Sequence, residues 1–322
     1  MNERIDRRGL LGTLAKGAGM AGLAQLAATP ASAAAPSPGA PVGTGFHYCL
    51  NTSTIRGQKL SLPAEMEIAA KAGYHAVEPW IGEIDAYVKE GGSLKDLGKL
   101  VADLGLTVES LIAFPEWILD DDARRAKGLE EAKRCLDIAA QIGGKRIAAP
   151  AAGAKEINNL SLPVVAERYR AVLELGDSFG VVPQVEFWGH SQTLGRLSEA
   201  TYVAIEARHP KACVLADVYH LHKGGSGIAG LHLLGPQGMH VMHLNDYPAE
   251  PGRKDINDSQ RVYPGDGVAP LKEIFRILRN SGFHGYLSLE LFNRNYWQQD
   301  PFEVARTGLE KTRVLVQASL EA

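Results

Sequence analysis

Residues 181–222 read VVPQVEFWGHSQTLGRLSEATYVAIEARHPKACVLADVYHLH. Two apolar, β-branched runs, 181–187 and 212–218, flank an amphipathic stretch, 197–208, whose apolar positions recur at helical spacing. That is a strand–helix–strand unit, the element of parallel sheets. The same alternation continues in both directions. Strands are expected at 45–51, 75–78, 106–112, 146–149, 181–187, 212–218, 240–245 and 286–291. Helices are expected at 63–72, 94–104, 122–142, 163–179, 197–208, 228–234, 270–280 and 304–319. Glycines at 73, 105, 143–144, 180 and 282 stand where a helix must stop before a strand begins. Eight such units in one globular length predict an α/β fold of the (β/α)8 TIM-barrel type. An open doubly wound sheet is the alternative. Against it, no G-x-G-x-x-G follows the first strand, and residues 54–57 lack phosphate-loop spacing.

The 322 residues are 45% hydrophobic and 22% charged, which excludes disordered, collagen-like and coiled-coil chains. Lys and Arg number 34 against 37 Asp and Glu, so no basic field is present to hold a polyanion and no nucleic-acid partner is expected. A mean hydropathy of -0.12 excludes a multi-span membrane protein. Cys49, Cys135 and Cys213 form no CxxC pair and no disulfide framework. Residues 1–33 carry Arg7-Arg8, a weakly apolar Gly/Ala-rich stretch and a closing Ala31-Ser32-Ala33. Together they resemble a twin-arginine (Tat) export signal. A Sec signal or an uncleaved anchor is the competing reading. Residues 34–44 read as a Pro/Gly/Ala linker, and 45–322 as the barrel. The expected location is the periplasm, without stable membrane insertion after processing. Tat cargo crosses folded, so a metal can be loaded before export.

Four apolar strands end in an ionisable residue: Glu186, Asp217, His243 and Glu290. In a (β/α)8 barrel, chemistry sits at these C-terminal strand ends. One buried carboxylate can be a satisfied structural acid. Three carboxylates and one imidazole on neighbouring strands cannot neutralise one another, and a divalent cation resolves the deficit. Mostly oxygen donors with one nitrogen favour Mn²⁺, with Mg²⁺, Co²⁺ or Zn²⁺ admitted. No cysteine lies at these positions, which disfavours a thiolate zinc site.

The segments VEFWGH (Glu186), LADVYHLH (Asp217, His220), VMHLND (His243), YPGDG (263–267) and LSLELF (Glu290) carry a family resemblance over roughly residues 45–320. The sequence resembles the sugar phosphate isomerase/epimerase superfamily of xylose isomerase-like TIM barrels. That group includes hydroxypyruvate isomerase, tagatose epimerase and inosose dehydratase, and is related to endonuclease IV. The resemblance implies one divalent metal on Glu186, Asp217, His243 and Glu290. It implies a substrate hydroxyl on His220, and matches Arg253 loosely to a substrate-contacting arginine. It also suggests a homo-oligomer. The epimerases carry a second glutamate shortly after the first ligand; here that stretch is WGHSQ, 188–192, so the contact there must differ.

Moving a proton between carbons beside a carbonyl requires a polarised carbonyl, a stabilised enediolate and a base at the carbon. A divalent ion can serve the first two needs. Glu186 and Glu290 are assigned as the acid/base pair. Trp80 and Trp188 are candidates to stack on a sugar ring, with rim packing as the alternative. Glu78, His190 and His222 are candidate substrate contacts, as is Lys223. For Glu78 the alternative is an ion pair with a barrel arginine; for the others it is a solvated loop position. Arg56 could hold an anionic group or form an ion pair. Asp120–Asp122 is read as an N-cap with favourable helix-dipole charge. The expected activity is a metal-dependent isomerase or epimerase of a sugar, ketose or related hydroxy-carbonyl compound. A dehydratase or lyase on a keto-sugar or inosose shares the enolisation step. A non-catalytic exported sugar-binding barrel is a further alternative. An endonuclease IV-like phosphodiesterase fits less well. Strands two and three end in Glu78-Pro79-Trp80 and Ile112-Ala113-Phe114 instead of histidines, and the expected Asp-x-His is Asp255-Ile256-Asn257.

Overall fold

The computed structural model describes residues 45–154, 156–157 and 160–321. The expected export segment, 1–33, and linker, 34–44, lie outside the described residues. Eight parallel strands form the sheet: β1 (His47–Asn51), β2 (Ala76–Glu78), β3 (Thr107–Val108), β4 (Arg146–Ala149), β5 (Val182–Glu186), β6 (Val214–Asp217), β7 (Val241–Leu244) and β8 (Tyr286–Leu289). Their order is β3-β2-β1-β8-β7-β6-β5-β4, so the first and last strands of the chain pair. The two ends of that order meet through Leu111. Its N–H donates to the Arg146 carbonyl at 3.0 Å and its carbonyl accepts from Ala148 N–H at 2.9 Å. The sheet therefore curls into the expected TIM barrel.

The third strand is shorter than its apolar run suggests. Regular pairing covers only Thr107–Val108 and resumes as single bridges at Leu111 and Ile112. Between them Glu109 turns to the Arg146 guanidinium.

Around the barrel run α1 (Leu62–Ala72), α2 (Ile81–Lys89), α3 (Leu94–Asp103), α4 (Asp122–Gln141), α5 (Leu162–Asp177), α6 (Leu197–Glu206), α7 (Val218–Gly224), α8 (Gly235–Gly238), α9 (Leu271–Asn280) and α10 (Pro301–Leu320). Local signals explain their ends. Asp121 caps α4 by accepting from Arg124 N–H, as the acidic run predicts. Gly73 ends α1 in the left-handed region, φ 94°, where a β-carbon would be strained. The expected helix at 228–234 is a 3₁₀ turn, Ile228–Leu233. Three helices were not expected: the four-residue α8, which follows the 3₁₀ turn, and α2 and α7. The latter two start directly at a strand end, so no loop signal announces them.

The main core lies between strands and helices. Leu50, Val185, Met242, Leu287 and Leu289 join Ile84, Leu136, Phe275 and Val304 in one buried cluster. Each such side chain contributes about 1.5–3 kcal/mol by leaving water. α10 packs so closely on β8 that a β-carbon on Gly308 would stand 2.3 Å from Leu289 Cδ2. Inside the barrel a smaller cluster, Ile112, Ala148, Leu215 and Val241, is separate from the main core. Buried Asn51, Glu78, Asp217, His243 and Ser288 lie at or near the C-terminal ends of their strands. No helix among the described residues is long and apolar enough to cross a membrane.

Candidate active site

Parallel register brings the expected residues together. His243 on β7 pairs with Asp217 on β6 and with Ser288 on β8. Glu186 ends β5, and Glu290 follows β8. His243 Nδ1 faces all three acids, at 3.2 Å from Glu290 Oε2 and 3.7 Å from both Glu186 Oε1 and Asp217 Oδ2. It meets hydrogen-bond geometry with none of them. Asp217, His243 and Glu290 offer donor atoms within 4.8 Å of one another. A buried nitrogen aimed at three carboxylates, without a hydrogen bond of its own, is the arrangement a divalent cation fits.

The other ring nitrogen is held from behind. His243 Nε2 stands 2.9 Å from Glu78 Oε2, which also accepts from Asn51 Nδ2 at 2.9 Å and Ser288 Oγ at 2.8 Å. A carboxylate behind a histidine fixes which nitrogen faces a metal and raises its basicity. Burial works against a charged ring, yet Glu290 and Glu78 hold His243 well above the usual range. Burial raises Glu186 to about 8; His243 opposes the rise, and Glu290, Asp217 and Glu78 add to it. Burial opposes the ionised form of Asp217 too, but Arg261, His220 and His243 outweigh it and keep the carboxyl low.

Arg261 was not singled out by sequence. It is buried to 1% exposure and donates through Nη1 to Asp217 Oδ2 at 2.7 Å and Glu290 Oε2 at 2.8 Å. Its Nη2 donates to Asp258 at 2.5 Å. Asp246 sets its position. That residue pairs antiparallel with Val262, and its carboxylate accepts from the N–H groups of Tyr247, Gly265, Gly267 and Ala269. The arginine two residues before YPGDG was the available signal, but pairing across the loop is invisible in one dimension.

His220 follows Asp217 by three residues, and Asp217 accepts its N–H at 2.9 Å as the N-cap of α7. Its ring Nδ1 accepts from Gly189 N–H at 3.2 Å. Burial lowers the ring to about 3, so it is neutral; its Nε2 stands 3.4 Å from Arg261 Nη2, which can only donate.

Glu186, Glu290, His220, Arg261 and Asp258 line a cavity of 360 Å³ together with Trp80, Ile112, Phe114, Trp188, His190 and Phe292. Three expected substrate contacts lie elsewhere. Glu78 has no exposure and sits behind His243, because its strand end points it into the barrel. His222 is two residues beyond His220 on α7, about 200° around a helix. It stacks on Tyr247 and lines a separate cavity of 350 Å³. Arg253 is exposed and lines that second cavity; Arg261 holds the place beside the acids. Arg56 is an ion-pair residue: it contacts Glu83 at 3.3 Å and lies 3.8 Å over Trp80. Lys223 is tied to the carbonyls of Lys254 and Ile256.

A closed parallel barrel with three acids, an imidazole and an arginine at one mouth defines the class: a (β/α)8 enzyme whose strand ends can hold a divalent cation. The chain belongs to the xylose isomerase-like TIM barrel family, whose model matches residues 66–315. It is 24% identical over 271 residues to an inosose isomerase of Halalkalibacterium halodurans, covering 82% of this chain and 94% of the relative. It is 23% identical over 232 residues to the 3-dehydro-D-guloside 4-epimerase of Escherichia coli, covering 67% and 83%. A crystal structure of the IOLI protein with a bound zinc atom superimposes with a TM-score of 0.78 at 22% identity, covering 85% of this chain and 99% of that one. These curated relatives are an isomerase and an epimerase, and the present chain is an enzyme of that kind.

Proposed function

We propose that the protein is a divalent-metal-dependent isomerase or epimerase of a keto-sugar or related hydroxy-carbonyl compound, with Glu186 and Glu290 as its acid/base pair. The supporting observation is the convergence of Glu186, Asp217 and Glu290 on His243 Nδ1 at the floor of the cavity. Those four residues would hold the metal, which supplies polarisation of the substrate carbonyl and charge stabilisation when bound. Mn²⁺ is favoured by the oxygen-rich donor set.

The chain's own groups account for the rest. One glutamate takes the proton from the carbon beside the carbonyl, and the other returns a proton to the adjacent carbon or to the opposite face. No oxidant or reductant is needed. Arg261 balances part of the acidic charge on Asp217 and Glu290. His220 presents Nε2 to a substrate hydroxyl. Trp80 and Trp188 offer ring faces to the C–H side of a sugar and keep water from the reacting carbons. Residues 1–33 are read as a Tat-type signal that carries the enzyme to the periplasm.

The test combines metal analysis of the purified protein with a panel of keto-sugars and inososes in deuterated water. One divalent ion per chain and deuterium at the carbon beside the carbonyl are expected, with an isomerised or epimerised product. An eliminated product would transfer the same site to the lyases. Metal-loaded protein that exchanges no substrate hydrogen overturns the proposal. Retention of Arg7→Lys/Arg8→Lys protein in the cytoplasm tests the export route.

A further inference from the structure

The cavity carries more aromatic surface than one sugar ring can use. Its aromatic side chains form an unbroken chain around the mouth. Phe292 meets Trp80 edge-on at 5.9 Å between centroids, Trp80 meets Phe114 at 5.2 Å, Phe114 meets Trp188 at 5.6 Å, and Trp188 stacks on His190 at 5.6 Å. These rings come from the segments after β8, β2, β3 and β5, so they span much of the rim. Trp80 is braced. Arg56 covers one face, and Nε1 donates to Asn51 Oδ1 at 2.8 Å, which spends its only polar atom. Phe114 remains 40% exposed although large and apolar.

A pyranose carries its hydroxyls around its edge and has at most two C–H faces to lay on aromatic rings, fewer than the four Phe and Trp rings that line the cavity. Its hydroxyls suit the polar lining residues Glu186, His220, Asp258, Arg261 and Glu290. A hydroxyl turned toward Phe114 or Ile112 would lose water and gain no partner. The collar therefore calls for a second, apolar body joined to the sugar. The cavity of 360 Å³ lies within the roughly 300–1,000 Å³ of small-molecule sites.

Building on the isomerase/epimerase reading above, we propose that the Phe292–Trp80–Phe114–Trp188 collar is a subsite for a flat apolar aglycone, so that the substrate is a keto-glycoside and not a free ketose. A glycoside has its anomeric carbon blocked, so the ketone stands on another ring carbon. A reaction that oxidises a ring hydroxyl must supply such a substrate.

The test uses metal-loaded full-length enzyme and paired methyl and phenyl glucosides oxidised at C2, C3 or C4. Hydrogen exchange at the carbon beside the ketone gives kcat/KM, and tryptophan fluorescence gives Kd for the same pairs. One favourable ring contact corresponds to about two- to tenfold, so the phenyl compound should lead by about tenfold. Phe114→Ala and Phe292→Ala should each shrink that phenyl-to-methyl ratio to about threefold or less. Phe114 is half in solvent, so its variant tests the point even where Phe292→Ala fails to fold. Exchange with equal phenyl and methyl values overturns the subsite and leaves the isomerase reading standing. Phenyl-selective binding without exchange of any compound supports the subsite and removes the isomerase reading.

Discussion

Glu78 Oε2 lies 2.9 Å from His243 Nε2, although 165 residues separate the two in the chain. Burial opposes ionisation of Glu78, but His243, Ser288 and Asn51 outweigh it and hold the carboxyl below its ordinary range. The pair keeps Nδ1 directed at the acids. Replacing Glu78 by Gln keeps the shape and removes the charge that orients and enriches the imidazole. Metal affinity should fall by about 10–100-fold. Competition titration with a chelator for Mn²⁺ or Zn²⁺ measures this. Unchanged affinity would reduce Glu78 to a packing residue.

Glu290 accepts from both Arg261 and Asn51, so Glu290→Gln keeps most of the local packing. Turnover should drop by about 10²–10⁴-fold, the usual worth of a positioned acid or base. Circular dichroism and metal analysis on the same sample separate lost chemistry from lost structure. Near-native turnover in the pure variant contradicts the assigned role.

Gly189 sits where the chain after β5 touches α7. A β-carbon there would lie 2.4 Å from Gly224 N and 2.7 Å from the His220 carbonyl oxygen. The backbone must part, and the Gly189 N–H that holds the His220 ring moves with it. Gly189→Ala should cost about 1–3 kcal/mol in stability. It should also raise KM for a hydroxylated substrate, because the His220 ring is no longer held. Urea unfolding and steady-state kinetics report the two effects independently.

The Asp246 carboxylate gathers four backbone N–H groups at 2.8–3.1 Å and is nearly without exposure. Asp246→Ala leaves those donors unpaired and frees the segment that carries Arg261. A loss of about 3 kcal/mol or more is expected, read by urea unfolding. Asp246→Asn should recover part of the loss because one carbonyl oxygen remains.

Glu65 gives the chain a pH dependence unrelated to the site. Burial, reinforced by Glu83 and opposed by Arg56, raises it from 4.5 to about 9. Its Oε2 has no hydrogen-bond partner. Between those two pH values the folded chain retains a proton that the unfolded chain has lost. Stability from this group is therefore full below about pH 4.5, falls as pH rises, and is gone above about 9. Glu65→Gln removes that slope. The melting temperature of the variant minus that of the native chain should be near zero at pH 5 and clearly positive at pH 9. A difference that stays flat with pH contradicts the buried, protonated acid.

The regular barrel was legible because its signal is local. Val182–Glu186 and Val214–Asp217 are apolar strands ending in an acid, Glu290 directly follows Tyr286–Leu289, and Gly180 and Gly282 stand between β5 and β8 and the helices before them. Placing Glu186, Asp217, His243 and Glu290 on four successive strands was enough to bring them to one mouth. Elements that begin without a turn, α2 and α7, were hidden for the same reason: they emit no stop-and-start signal.

Sequence alone therefore determined the alternation of strand and helix, and with it which strand ends meet, since a parallel barrel has one order of neighbours for its chain. Tertiary structure decided which charged groups face each other across that barrel. Glu78 went behind His243, Arg261 took the place expected of Arg253, and His222 turned away from His220. Periodicity specifies the face a residue occupies; the burial of its charge depends on partners hundreds of residues away, and only the closed barrel brings those partners within hydrogen-bond reach.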